Sequence, residues 1–134
     1  MTDLELMQAA VKARAFAYAP YSDFRVGAAL LTRDGRVYTG CNIENASYTP
    51  TNCAERTAFF KAVSEGERNF AAIAIVGGKG DDLSSVCTPC GVCRQVMAEF
   101  CNGDLRILLG TPERYKCYSL QDLLPLSFSL TDER

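Results

Sequence analysis

Two short stretches carry the residue types that could do chemistry. "TNCAERTAFF" (51–60) sets Cys53 two residues before Glu55, and "CTPCGVCRQ" (87–95) sets Cys87, Cys90 and Cys93 in two overlapping C-x-x-C steps. The chain has 7 cysteines and no histidine. Histidine triads and His-containing zinc sites are therefore excluded, and thiolates become the candidate metal ligands. Cys53, Cys90 and Cys93 could surround one zinc ion. Three protein ligands leave the fourth position to a water, as in catalytic sites, whereas four protein ligands make a structural site. Zinc lowers the pKa of such a water towards ~7, and Glu55 is close enough in sequence to carry its proton to substrate and leaving group. Three thiolates leave the ion with surplus negative charge, which two helix N-termini and Arg56 can offset.

These residues need elements to position them. Leu4, Met7, Val11, Ala15 and Tyr18 recur at helical steps, giving a first helix that Pro20 ends. "FRVGAALLT" (24–32) and "VYTGC" (37–41) read as strands joined in a hairpin across "RDG", and the polar "NIENASYTP" (42–50) as a loop. A helix is expected from Cys53 to Glu65, stopping at Gly66. "FAAIAIVGG" (70–78) is apolar throughout, as a central strand covered on both faces should be. A helix over 90–101, with Thr88 as its cap and Pro89 at its first position, precedes the strand "LRILLG" (105–110). A short strand near 115–118 and a short helix in "SLQDLLP" follow. Strands alternating with helices imply an α/β protein, one sheet with helices on both faces.

Plainer readings compete at each position. Asn52 and Glu55 have capping-box spacing, which would leave Glu55 without chemistry. Cys87 could be a fourth ligand and close a structural site. Arg56 alone reads as a solvated helix charge, Phe24 and Phe128 as core aromatics, and Asn42, Glu44 and Tyr48 as loop residues. Cys41, Cys101 and Cys117 lack a pairing pattern and read as buried hydrophobes.

Composition narrows the class. With 134 residues, 48% of them hydrophobic, the chain is long enough for one domain and its core. It contains no run of ~18 uncharged apolar residues, so no membrane helix is expected. The N-terminal stretch lacks the basic start and apolar run of an export signal, which makes the cytoplasm the expected compartment and a disulfide framework an unexpected one. A net charge of −2 argues against a broad nucleic-acid surface.

Taken together, "PYSDFRVGAAL", "GCNIENASY", "NCAERTA", "CTPCGVCRQVM" and "LLPLSF" resemble the short, homotetrameric cytidine deaminases over almost the whole chain. Ligand-x-Glu followed by P-C-x-x-C, with a three-cysteine variant, is the known signature of zinc deaminases. Here it reads Cys53-Ala54-Glu55 and Pro89-Cys90-Gly91-Val92-Cys93. The resemblance implies a three-layer α/β/α sandwich with a mixed five-stranded sheet, as one catalytic domain over residues 1–134. It implies zinc-dependent hydrolysis of cytidine and deoxycytidine to uridine and deoxyuridine with release of ammonia, in pyrimidine salvage. One zinc per subunit would sit on Cys53, Cys90 and Cys93, with Glu55 moving protons and Arg56 donating to the thiolates. Asn42 and Glu44 would hold the ribose 3′-hydroxyl, and Phe24 and Ala54 would line the nucleoside pocket. Phe128 matches a late aromatic that stacks on the base in a neighbouring subunit, and Tyr48 a residue lent across the interface near the 5′ end.

One departure is Cys87, where the resemblance requires no thiol. Thr88 and Pro89 should cap the helix and leave Cys87 outside its first turn, off the metal. Two rivals stay open. One is a deaminase of another amino-bearing nucleoside or nucleotide; the nucleotide form would need cations for a 5′-phosphate, and "NIENASYTPTN" supplies none. A non-catalytic zinc module would show four cysteine ligands.

Overall fold

The computed structural model describes residues 1–130; residues 131–134, the end of the expected 1–134 domain, lie outside the described residues. Helix α1 (Asp3–Arg14) starts at a capping box in which Thr2 and Glu5 exchange hydrogen bonds. Strands β1 (Phe24–Thr32) and β2 (Val37–Cys41) form the expected hairpin, and β2 leads through the 42–52 loop to α2 (Ala54–Ser64). Then come β3 (Phe70–Lys79), α3 (Gly91–Phe100), β4 (Arg106–Thr111), β5 (Arg114–Ser119) and the short α4 (Leu120–Leu123).

The sheet order is β2-β1-β3-β4-β5. Only the β3–β4 pair is parallel, so the sheet is mixed as expected. A parallel pair requires a crossover, and α3 supplies it. β3 is central and buried on both faces. Its two faces differ in size. Ile73 and Ile75 join Leu30, Phe59 and Met97 in the core under α2 and α3, whereas Ala72 and Ala74 meet Leu6, Met7 and Ala10 of α1. Small residues on that side let α1 lie close to the sheet.

α1 departs from the expected stripe. It buries Leu6, Met7, Ala10, Ala13 and Arg14, while Leu4 and Tyr18 are exposed. The helix also ends at Arg14, well before Pro20. The reason is a better use of the backbone: Tyr18 N–H donates to the Asn42 carbonyl at 3.0 Å and its carbonyl accepts from Glu44 N–H at 2.8 Å. The N-terminal segment is thus stitched to the loop that carries Asn42 and Glu44.

Gly40 positions α2. A Cβ there would come within 2.4 Å of the Ala54 carbonyl and 2.6 Å of the Ala58 nitrogen, so only glycine lets the helix start settle on β2. That contact fixes where Cys53 and Glu55 emerge.

Candidate active site

Both expected ligand segments sit at helix starts, and in each the N-cap is a cysteine. Cys53 is the N-cap of α2 and Cys90 that of α3, and neither side chain caps through a hydrogen bond. Two expectations are corrected here. Thr88 does not cap α3 and Pro89 is not its first residue, because Cys90 holds the extended cap conformation and Arg94 N–H donates to its carbonyl at 2.9 Å. The Asn52–Glu55 capping box is absent too, since Asn52 Nδ2 instead donates to Thr57 Oγ1 at 3.1 Å.

The Cys53, Cys90 and Cys93 sulfurs all lie within 4.8 Å of one another. Cys53 Sγ is 3.9 Å from Cys90 Sγ, which is 3.6 Å from Cys93 Sγ. Tetrahedral zinc with Zn–S bonds of about 2.3 Å places its sulfurs roughly 3.8 Å apart, so the three thiols fit that ion. All seven cysteines are free thiols. Cys87 is outside the cluster. Burial pushes its thiol up to about 12, and it lies over Gly77, where an added Cβ would meet its Sγ at 2.8 Å. Cys101 packs against the core, but Cys117 is exposed on edge strand β5, contrary to expectation.

Arg56 Nη2 donates to Cys53 Sγ at 3.2 Å. Hydrogen bonds from Cys93, then from Arg56, hold the Cys53 thiol down at about 5. A thiolate is therefore favoured there even before a cation arrives, helped by the positive end of α2. Glu55, only 4% exposed, has the opposite environment. Burial raises its carboxyl to about 7, so it can both hold and release a proton near neutrality.

A 240 Å³ cavity opens onto these groups, lined by Phe24, Asn42, Glu44, Ala54 and Glu55 together with Cys53 and Cys90. Asn42 Oδ1 accepts from Val26 N–H at 2.9 Å and its Nδ2 donates to the Phe24 carbonyl at 2.8 Å. Glu44 accepts from the Tyr21 and Ser22 N–H groups and from the Ser22 hydroxyl, which holds its carboxyl below the ordinary range. An adjoining 400 Å³ hollow shares Ser22, Glu44 and Thr51 and reaches Tyr48. Tyr48 is 76% exposed and Phe128 66% exposed, the latter lining neither hollow. Phe24 and Phe128 are thus not core aromatics. The sequence reading missed Val26, Thr51 and Thr88 as lining residues, and Ser22 as the partner of Glu44. Alternation along β1 could have found Val26, which shares a face with Phe24; no local signal links Ser22 to Glu44.

Fold and site define an α/β protein with three thiols positioned for one metal ion beside a buried carboxyl. The comparisons with known proteins agree. The family model for the "cytidine and deoxycytidylate deaminase zinc-binding region" matches residues 1–109. A cytidine deaminase of Sporosarcina psychrophila is 52% identical over 132 residues, covering 96% of this chain and 92% of the relative. The crystal structure of a cytidine deaminase from Burkholderia pseudomallei superposes with a TM-score of 0.87 at 50% identity, over 96% of this chain and 100% of that one. One from Mycobacterium tuberculosis gives 0.81 at 46% identity, over 97% and 100%. The chain belongs to the cytidine and deoxycytidylate deaminase family, an enzyme family with a zinc-binding region. No helix among the described residues is long and apolar enough to cross a membrane.

Proposed function

We propose that this chain hydrolyses cytidine and deoxycytidine to uridine and deoxyuridine, releasing ammonia. The observation that carries the reading is the buried Glu55 carboxyl beside three thiols spaced for one zinc ion, at the end of a cavity. Cys53, Cys90 and Cys93 would hold one zinc per subunit. Zinc held there would supply Lewis acidity, lowering the pKa of a water towards ~7 and making it nucleophilic towards C4 at neutral pH. Glu55 takes the proton this releases and returns protons to the ring nitrogen and the departing amine. Arg56 keeps the Cys53 sulfur anionic. Asn42 and Glu44 orient the ribose through its 3′-hydroxyl, and Phe24 and Ala54 wall the pocket. Asn42 has a second N–H for that task, and Glu44 spare acceptor capacity.

A nucleoside is favoured over a nucleotide by charge. Neither hollow is lined by a lysine or arginine, and the outer one contains the Glu44 carboxylate. A 5′-phosphate there would face a like charge and no cation.

The exposed Phe128 and Tyr48 support the shared-pocket part of the proposal. In a homotetramer each would serve a neighbouring subunit, Phe128 stacking on the base and Tyr48 lying near the 5′ end. A single domain over residues 1–134, acting in the cytoplasm in pyrimidine salvage, completes the reading. The direct experiment follows ultraviolet absorbance of the zinc-loaded protein with cytidine, deoxycytidine and deoxycytidylate in parallel. Loss of the cytosine band with the two nucleosides alone is expected; turnover of deoxycytidylate alone would move the assignment to nucleotides. Full activity in a dilution-stable monomer would remove the shared pocket.

A further inference from the structure

Arg14, in the last turn of α1, is only 9% exposed, and among the described residues it forms no ion pair. Its charge lies against carbonyl dipoles instead. Nε donates to the Arg25 carbonyl at 2.9 Å, and Nη2 to the carbonyls of Gly78 at 2.9 Å, Asp82 at 3.2 Å and Gly80. The nearby Asp82 carboxylate is engaged with Ser84. Such charge-assisted bonds are about twice as strong as neutral ones, and a buried cation so held has little freedom to move. Gly27 admits the helix end to this spot: a Cβ there would meet the Ala10 carbonyl at 2.1 Å and the Arg14 nitrogen at 2.5 Å.

Two of these carbonyls, of Arg25 and Gly78, belong to register partners on β1 and β3, and the other two, of Gly80 and Asp82, to the loop that follows β3. Arg25 lies between Phe24 and Val26, whose side chains line the catalytic cavity. Gly80 and Asp82 begin the loop that goes on to deliver Cys87, Thr88 and Cys90 to the same cavity. Gly80 N–H also donates to the Asp23 carbonyl at 2.9 Å, one residue before Phe24. One guanidinium therefore ties the β1 wall to the loop wall. It does so from outside the cavity, without lining it.

We propose that Arg14 is a positioning residue that sets the spacing of the two walls of the nucleoside pocket, and with it the tightness and selectivity of base binding. The inference rests on the cytidine reading above. Lysine cannot replace the fork, because one ammonium cannot span carbonyls on both segments in the same geometry.

The test compares the zinc-loaded parent with Arg14→Lys and Arg14→Met, measuring zinc content, kcat and KM for cytidine, and the kcat/KM ratio of cytidine to 5-methylcytidine. In both variants zinc should stay at one per chain and KM should rise, with kcat/KM for cytidine falling roughly 10- to 100-fold, as expected for a displacement near 1 Å. The cytidine to 5-methylcytidine ratio should narrow. KM and the ratio do not depend on how much protein folds, so a merely structural arginine leaves both unchanged, and that result overturns the proposal. If Arg14→Met does not fold, Arg14→Lys decides alone. A parent inert on cytidine would overturn the deamination reading and this inference with it; an active parent with indifferent variants overturns the inference only.

Discussion

The guanidinium of Arg56 donates to Cys53 Sγ at 3.2 Å from one turn further along the same helix, while its Nε is buried without a hydrogen-bond partner among the described residues. An orphaned buried donor is costly, so the group must return something where it stands. In the proposed zinc site it would offset the negative charge that three cysteine ligands bring. Arg56→Gln should therefore weaken zinc retention by ~10-fold or more, the usual cost of losing a partner that supports a metal ligand. Competition with a chromogenic chelator measures it, and unaltered retention would return Arg56 to a packing role.

Glu55→Gln separates proton transfer from metal binding. The variant should keep one zinc per chain yet lose turnover by ~10² or more. Near-normal rates would remove Glu55 from the chemistry.

The same substitution has a signature in the metal-stripped protein. The folded Glu55 carboxyl titrates at about 7 against 4.5 for the ordinary group, so the native state holds its proton more tightly than the unfolded chain. Its contribution to stability is complete below 4.5 and is lost as pH rises through about 7, an amount near 3 kcal/mol. The melting-temperature gain of Glu55→Gln over the parent should then be larger at pH 8 than at pH 5. The Cys53 thiol, held at about 5, acts in the opposite sense but is common to both proteins. A gain independent of pH would show that Glu55 ionises as freely folded as unfolded.

Legibility followed the range of the interactions. β3 was readable because a strand buried on both faces must be apolar throughout, and the metal cluster because thiols at helix starts leave a local spacing. The end of α1 was not, since Tyr18 leaves the helix for partners at Asn42 and Glu44. Its buried face differs from the expected one for a related reason: Ala10 is buried by the alanine side of the sheet, which one helix cannot reveal. The cap of α3 fell to Cys90 although Thr88-Pro89 has ideal composition for it, because the backbone at Cys90 already satisfies the first turn. Ser22 and Glu44 meet only through the fold.

Cys87 tests whether the site is open. Its thiol lies outside the sulfur cluster and is pushed up to about 12, first by burial and then by the charges of Glu55 and Cys53. Cys87→Ser should keep one zinc per chain by elemental analysis. Loss of stoichiometric zinc would mean a closed, four-cysteine site and would end the hydrolytic reading.

Asn42 has one duty in the fold and one proposed for the ribose, and they can be measured apart. Its carboxamide satisfies Val26 N–H and the Phe24 carbonyl, locking the stretch of β1 that walls the cavity, and only its second N–H remains for a ribose hydroxyl. Asn42→Ala leaves both backbone groups unpaired in a buried place, at a cost of ~1–3 kcal/mol. Asn42→Asp can still accept from Val26 but loses the donor to Phe24 and brings a negative charge to the pocket wall. Both variants should melt several degrees lower, and both should raise KM for cytidine. A melting temperature unchanged in both, with KM raised, would assign Asn42 to the ligand alone. A lowered melting temperature with KM unchanged would assign it to the strand alone, and the ribose contact would then have to come from Glu44.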